Sequence, residues 1–158
     1  GFMPDDSEFT EMLPKHQFKG KLIDRAKYVL ECIEYHKRGN TDELIVSSSD
    51  EVHLEHIIPQ TISTKRSKEE YGDWETYLGD RSLVKHKKYV NYLGNMTLLG
   101  ESLNIQAYNN PFRKKKRSYK KSSFLITQEL AVQKDFKFSH VDKRGEQLAE
   151  VALKIWKR

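Results

Sequence analysis

The chain has 158 residues, of which 37% are hydrophobic and 32% are charged, a balance typical of one globular domain with a single core. No apolar run is long enough to cross a membrane and no charged-then-apolar leader is visible, so we expect a cytoplasmic protein with no membrane partner. The single cysteine fits a reducing compartment, and without a CxxC companion it argues against a structural zinc site.

The predicted elements begin after residues 1–14, whose two prolines, several acids and lack of periodicity indicate a linker or a cloning remnant and leave residues 15–158 as the domain. A helix is predicted from about residue 18 to residue 36, where apolar residues recur at helical spacing, and Gly39-Asn40 should end it. The remaining predictions are, in chain order, strands at 43–47 and 51–57, a charged mobile stretch at 61–72, a short helix or turn at 74–78, a helix at 85–92, a strand at 96–99, a helix from about 102, and helices at 111–121, 127–133 and 140–156. This pattern predicts an α+β fold that is mainly helical.

The net charge of +5 is unevenly distributed along this chain. Residues 1–110 carry 14 lysines and arginines against 18 acidic residues, whereas residues 111–158 carry 14 against 5. The densest positive run covers residues 113–121. Such a run can bind phosphates by releasing condensed counterions, or it can form a solvated helix face or a targeting patch.

The first chemically informative segment is His53-Leu54-Glu55-His56, which ends in Ile57-Ile58-Pro59. Proline donates no ladder hydrogen bond, so the strand should stop there and His56 should lie where strand becomes loop. Histidine can act as a general base near neutral pH, and the adjacent Glu55 offers a carboxylate to a hard divalent cation. Neighbouring strand residues point to opposite faces, so the two side chains meet only if the strand end is twisted or bulged. His53 shares a face with Glu55 and is either a supporting residue or extra ligand, or an ordinary structural or surface residue.

The second segment is Gly94-Asn95, followed by an apolar strand and then by Asn104. On its own, Gly94-Asn95 indicates a turn, because both residues tolerate positive φ. Asn104 offers an amide oxygen to a cation, with helix capping as the alternative. The spacing of His53 and His56 is one residue too short for a helical zinc protease motif, so that enzyme class is set aside.

Together these residues resemble the HNH (His-Me finger) nucleases, and more closely the HNH domain at the C-terminal end of GmrSD-type, modification-dependent restriction enzymes. The likeness covers roughly residues 18–157 in the right order, and outside the core it includes the helix at 25–34, Asn110-Pro111-Phe112, Lys115, Tyr119, Ser122, Val141, Arg144, Leu148-Ala149 and Ile155-Trp156. The resemblance implies a ββα-metal core with an N-terminal helix and a C-terminal helical shell.

The same resemblance implies a role for each core residue. His56 would be the general base, Glu55 a metal ligand, and Asn95 the residue that braces the loop carrying the histidine. Asn104 stands where the family often has a histidine ligand, as in the His-Asn-Asn variants. This departure favours one Mg²⁺ or Mn²⁺ ion over a softer metal.

The basic cluster after this core is interpreted as a contact for the DNA backbone, and it comprises Arg113, Lys114, Lys115, Lys116 and Arg117. Lys115 is the first choice, because it matches the family position three residues after Phe112. The implied function is a metal-dependent endonuclease that nicks or cleaves double-stranded DNA in a prokaryotic anti-phage restriction system, with an upstream NTPase or modification-sensor partner outside this chain. The alternatives are an inactive or sensor-dependent DNA-binding module and an HNH domain that cleaves RNA.

Overall fold

The structure is a computed structural model that describes residues 5–39 and 51–156. These residues form an α+β fold that is mainly helical, as the sequence predicts. Its elements in chain order are α1 (Asp6–Met12), α2 (Ile23–Lys37), β1 (Val52–His56), α3 (Lys65–Glu70), α4 (Trp74–Leu78), α5 (Ser82–Tyr89), β2 (Met96–Gly100), α6 (Glu101–Ala107), α7 (Phe112–Lys121), α8 (Leu125–Ala131) and α9 (Phe138–Ile155).

Helix α1 lies inside the segment that was interpreted as a linker. A reciprocal capping box starts it, in which the Glu8 amide donates to the Asp5 side chain (2.8 Å) and the Asp5 amide donates to the Glu8 carboxylate (3.1 Å). The helix and the short 3₁₀ turn after it pack against α9, and Pro14 is buried there. The linker interpretation is therefore wrong for residues 6–14, because a local cap and tertiary packing replace the missing hydrophobic periodicity.

The two described strands form one antiparallel pair, with a register that runs from Val52 opposite Gly100 to His56 opposite Met96. Helices α3, α4 and α5 lie between the strands in sequence, and α6 follows β2 directly. Part of the segment expected to be mobile is helix α3, whose first turn is capped by the Thr64 hydroxyl accepting from the Ser67 amide (3.0 Å). The predicted strand at 43–47 lies outside the described residues.

The strand pair separates two hydrophobic clusters. Val52, Leu54, Met96 and Leu98 belong to the cluster that contains residues of α2 and α9. Leu99 faces the other cluster, which is built mainly from the segment after β1 and from residues of α4, α7 and α9. Because side chains alternate along a strand, the odd-numbered residues of β1 point toward this second cluster and α7.

The turn before β2 is held against the last helix. A Cβ atom on Gly94 would lie 2.1 Å from the carbonyl oxygen of Val141, so only glycine permits this approach. The buried Arg144 of α9 donates from Nη1 to the carbonyl oxygens of Gly94 (3.0 Å) and Met96 (2.5 Å). Helix α9 therefore fixes the segment that contains Asn95.

Among the described residues, no helix has the length and apolar character that crossing a membrane requires.

Candidate active site

The most unusual feature beside β1 is a buried ion pair. Lys115 of α7 has no exposed surface and Glu55 is 5% exposed. The Lys115 ammonium donates to Glu55 Oε1 over 3.2 Å and to the carbonyl oxygen of His56 over 2.9 Å. The prediction that Lys115 is the first DNA contact is therefore wrong, because its side chain points into the protein on the same helix face as Phe112 and Tyr119.

Burial and charge act in opposite directions on this pair. Burial raises the pKa of the Glu55 carboxyl, and the adjacent Lys115 charge works against that increase. Burial lowers the pKa of the Lys115 ammonium, and the Glu55 charge works against that decrease. Glu55 Oε2 has no hydrogen-bond partner among the described residues, although it is shielded from solvent. The carboxylate thus has one oxygen held by the lysine and one oxygen free to bind another group.

His56 lies at the end of β1, and its Nε2 atom is also buried without a hydrogen-bond partner in the described part of the chain. Its pKa is lowered to about 4, first by burial and then by the positive charge of Lys115, while a hydrogen bond with the Asn91 side chain opposes this decrease. The imidazole is therefore neutral at pH 7, which is the form that accepts a proton.

Asn95 is fully buried and binds the backbone on both sides of the site. Its side-chain amide donates to the carbonyl oxygens of Ile58 and Val90 (3.0 Å each), and its Oδ1 accepts from the Ile58 amide (2.8 Å). Its own carbonyl oxygen accepts from the Ile57 amide (2.9 Å). These four bonds hold the chain that follows His56 in one position relative to the turn before β2.

Asn104 lies in the middle of α6, the helix that packs against both strands. Its side chain is half-buried, and among the described residues it does not hydrogen-bond the Glu55 carboxylate, whose Oε1 is bound by Lys115 and whose Oε2 has no partner. Glu55 and His56 are thus consecutive residues at the end of β1, and Asn95 binds the backbone that follows them, whereas Asn104 lies on the adjacent helix.

The basic cluster on α7 divides into an outer and an inner part. Arg113, Lys114 and Arg117 are exposed, together with Lys120 and Lys121 farther along. Lys116 is half-buried, donates to the carbonyl oxygen of Gln133 (3.1 Å) and lies 5.4 Å from the ring centroid of Phe112. An outer surface of exposed cations is thereby separated from the inward-pointing Lys115.

The opposite end of the strand pair carries a second group of ionisable side chains. Glu51, His53 and Glu101 each offer one ligand atom, and these atoms lie within 4.8 Å of one another. The Glu101 amide donates to the Glu51 carbonyl oxygen (3.0 Å), while His53 Nε2 is 3.9 Å from Glu51 Oε2. His53 therefore belongs to this group rather than to the immediate surroundings of Glu55, although the two residues share a strand face.

Sequence reasoning missed one residue of the site and placed another on the wrong surface. Asn91 is the hydrogen-bond partner of His56, and no pattern in its neighbourhood distinguishes it from an ordinary turn residue. Lys115 was noticed but assigned to the wrong surface. Phe112, Lys115 and Tyr119 are spaced three and four residues apart, so helical periodicity already puts the lysine on the face of the two aromatic anchors.

Comparison with known proteins agrees with the resemblance in the sequence. A search of curated proteins finds no match. The family model of the C-terminal domain of GmrSD restriction endonucleases matches residues 3–151, which is nearly the whole chain and includes α1 as well as the site at the end of β1. The chain belongs to this family of GmrSD restriction endonuclease C-terminal domains.

Proposed function

We propose that this domain hydrolyses phosphodiester bonds of double-stranded DNA as an HNH nuclease, with His56 as the general base. The observation that carries the proposal is the pair of shielded, unpartnered atoms at the end of β1, His56 Nε2 and Glu55 Oε2. A buried polar atom without a partner costs roughly 1–3 kcal/mol, and two such atoms on consecutive residues would be satisfied together by a bound ion and a water molecule. The neutral imidazole would take the proton from the attacking water.

The oxygen atoms of the site fit a hard divalent cation. Mg²⁺ and Mn²⁺ prefer a few oxygen ligands and keep several waters, and Glu55 Oε2 is a carboxylate oxygen that nothing else in the described chain uses. Glu55 and Asn104 would hold the ion, in the ββα arrangement of β1, β2 and α6. When bound, such an ion stabilises negative charge on the phosphoryl oxygens and on the leaving oxygen. Asn95 would keep His56 in place through its four bonds to the backbone.

The exposed cations of α7 would bind the DNA backbone. Arg113, Lys114 and Arg117 are exposed and form no ion pair within the described chain, and they belong to the densest run of positive charge in the sequence. Contacts with phosphate position the duplex but do not read its sequence, so the domain alone should cut with low specificity. Recognition of modified DNA in an anti-phage system would then come from an upstream NTPase or sensor partner.

The proposal is tested by incubating supercoiled plasmid with the domain in Mg²⁺, in Mn²⁺ or in EDTA. We expect nicked or linear product only with a divalent ion, and a rate lower by about 10²–10⁴-fold for His56→Ala, because general-base catalysis is worth that much. His53→Ala is the matched control on the same strand and should cut like the wild type. Cutting in EDTA, or equal cutting by His56→Ala, would exclude this mechanism.

One observation favours a second candidate, a module that is inactive until it docks on its sensor. The reactive atoms of Glu55 and His56 are shielded from solvent, so water or DNA reaches them only after a local movement. Absence of cutting by the isolated wild type, followed by cutting on addition of the partner subunit, would identify this case. The same assay with an RNA substrate separates DNA cleavage from RNA cleavage.

A further inference from the structure

We propose that Lys115 is a positioning residue for the metal-binding carboxylate: its ammonium holds Glu55 Oε1 and the His56 carbonyl oxygen, so that Glu55 Oε2 is presented to the ion. This inference rests on the proposed function and gives the buried lysine a role in ion binding. It removes the same lysine from the DNA-binding surface.

The location of Lys115 separates it from the exposed cations of α7. It is the one lysine with no exposed surface in the described part of the chain, and it lies between two aromatic anchors of α7, Phe112 and Tyr119. Its neighbour Lys114 is exposed and has the same charge on the same helix. The two residues therefore form a natural pair for comparison, with one facing the solvent and the other facing the site.

The two acceptors of Lys115 explain what it positions. Glu55 and His56 are consecutive strand residues, and their side chains would ordinarily point to opposite faces. By binding the side chain of Glu55 (3.2 Å) and the main chain of His56 (2.9 Å), one ammonium fixes both the carboxylate rotamer and the end of the strand. The lysine uses Oε1 alone and leaves Oε2 without a partner. Partners that orient a metal ligand in this way typically change metal affinity or activity by 10–100-fold when they are removed.

The test compares Lys115→Met with Lys114→Met in two measurements. The first is the dissociation constant for Mn²⁺ without DNA, by calorimetry or by electron paramagnetic resonance. We expect it to rise about 10–100-fold in Lys115→Met and to stay unchanged in Lys114→Met. The second is the salt dependence of duplex DNA binding in EDTA. Its slope in log Kd against log salt should decrease by about 0.9 in Lys114→Met, which loses one phosphate contact, and not in Lys115→Met.

Folding is checked by circular dichroism for both variants. If folded Lys115→Met binds Mn²⁺ as tightly as the wild type or more tightly, or lowers the salt slope as Lys114→Met does, the inference is overturned. If Lys115→Met does not fold, the inference is tested by nuclear magnetic resonance on the wild type. Mn²⁺ should then broaden the nuclear magnetic resonance signal of the Lys115 side chain before that of any other lysine, and broadening of other lysines first would overturn the inference.

The wild-type titration separates this inference from the proposed function. If the wild type binds no Mn²⁺ in the titration, the proposed ion site fails and the role of Lys115 fails with it. If the wild type binds Mn²⁺ and cuts DNA while Lys115→Met binds the ion equally well, only the inference about Lys115 fails.

Discussion

The two ends of the strand pair carry similar residue types in opposite surroundings. At one end, Glu55 is 5% exposed, is paired with a buried lysine and lies next to His56. At the other end, the side chains of Glu51 and His53 are 72% and 34% exposed, and Glu101 is exposed as well. Both ends offer a histidine and a carboxylate, so residue type alone does not distinguish them.

Burial and charge compensation make the difference between these ends. Exposed groups keep their hydration in the folded protein, and solvent screens the interactions between them. The groups at the buried end have already lost their water, and Lys115 and Asn95 hold them in place. His53 Nε2 is also shielded and without a partner among the described residues, but its two neighbouring carboxylates are exposed. The stronger indicator of chemistry is therefore the end of β1, where a shielded imidazole nitrogen and a shielded carboxylate oxygen occur beside a buried ion pair.

The largest expected difference between the two ends is in stability. Glu55→Ala leaves Lys115 as an unpaired buried cation, and breaking such a pair typically costs about 3–5 kcal/mol. Glu51→Ala removes an exposed carboxylate and should change the free energy of unfolding by less than about 0.5 kcal/mol. Urea denaturation of both variants measures these values. Adding Lys115→Met to Glu55→Ala should recover part of the loss, whereas equal stabilities of the two single variants would contradict the comparison.

A smaller effect is expected from acidification. The pKa of His56 is about 4 in the folded protein, whereas an unperturbed histidine, as in the unfolded chain, has a pKa of 6.5. Between pH 4 and pH 6.5, His56 therefore binds a proton in the unfolded state but not in the folded state. Stability is therefore unaffected above pH 6.5 and decreases as the pH falls from 6.5 toward 4, by about 3 kcal/mol in total from this group.

The measurement is the stability of the metal-free wild type minus that of His56→Gln across this pH range. Subtraction is needed because the raised pKa of Glu55 acts with the opposite sign, while the lowered pKa of His86 acts with the same sign. A difference that does not change with pH would mean that His56 is not shielded as the structure shows.

The smallest effect should come from the exposed end. Replacing His53 by Ala and Glu101 by Gln together should change the free energy of unfolding by less than about 1 kcal/mol and leave plasmid cleavage within about twofold of the wild type. A loss of cleavage comparable with that of His56→Ala would favour Glu51, His53 and Glu101 as the site of the proposed ion, and would reverse the comparison between the two ends.

Periodicity and motif order predicted most of the fold. The strand at 51–57, the short helix at 74–78 and the helices near 111–121 and 140–156 were placed within about two residues, because each has a clear apolar pattern or a terminating proline or glycine. Helices α1 and α3 were missed, because capping and local hydrogen bonds rather than a hydrophobic face define them. The order of the motifs along the chain also identified His56, Glu55 and Asn95 as candidate site residues.

Other parts of the site depend on distances that no local pattern encodes. The Glu55–Lys115 pair joins residues on β1 and α7, and the charge run around Lys115 obscured its place on the buried stripe with Phe112 and Tyr119. The contact of Asn91 with His56 depends on how the turn after α5 packs. The relation between Asn104 and Glu55 stays a prediction, since it depends on the movement that would admit an ion.

The close packing of Gly94 against α9 limits how far this domain can be shortened. A fragment that stopped after α8 would keep Glu55, His56, Asn95 and Asn104. It would lose Val141, against which Gly94 packs, and Arg144, which donates to the carbonyl oxygens of Gly94 and Met96. The turn that contains Asn95 would then no longer be held in place by α9, and Asn95 could not fix the position of the chain after His56. The smallest fragment worth testing for cleavage must therefore extend through residue 155.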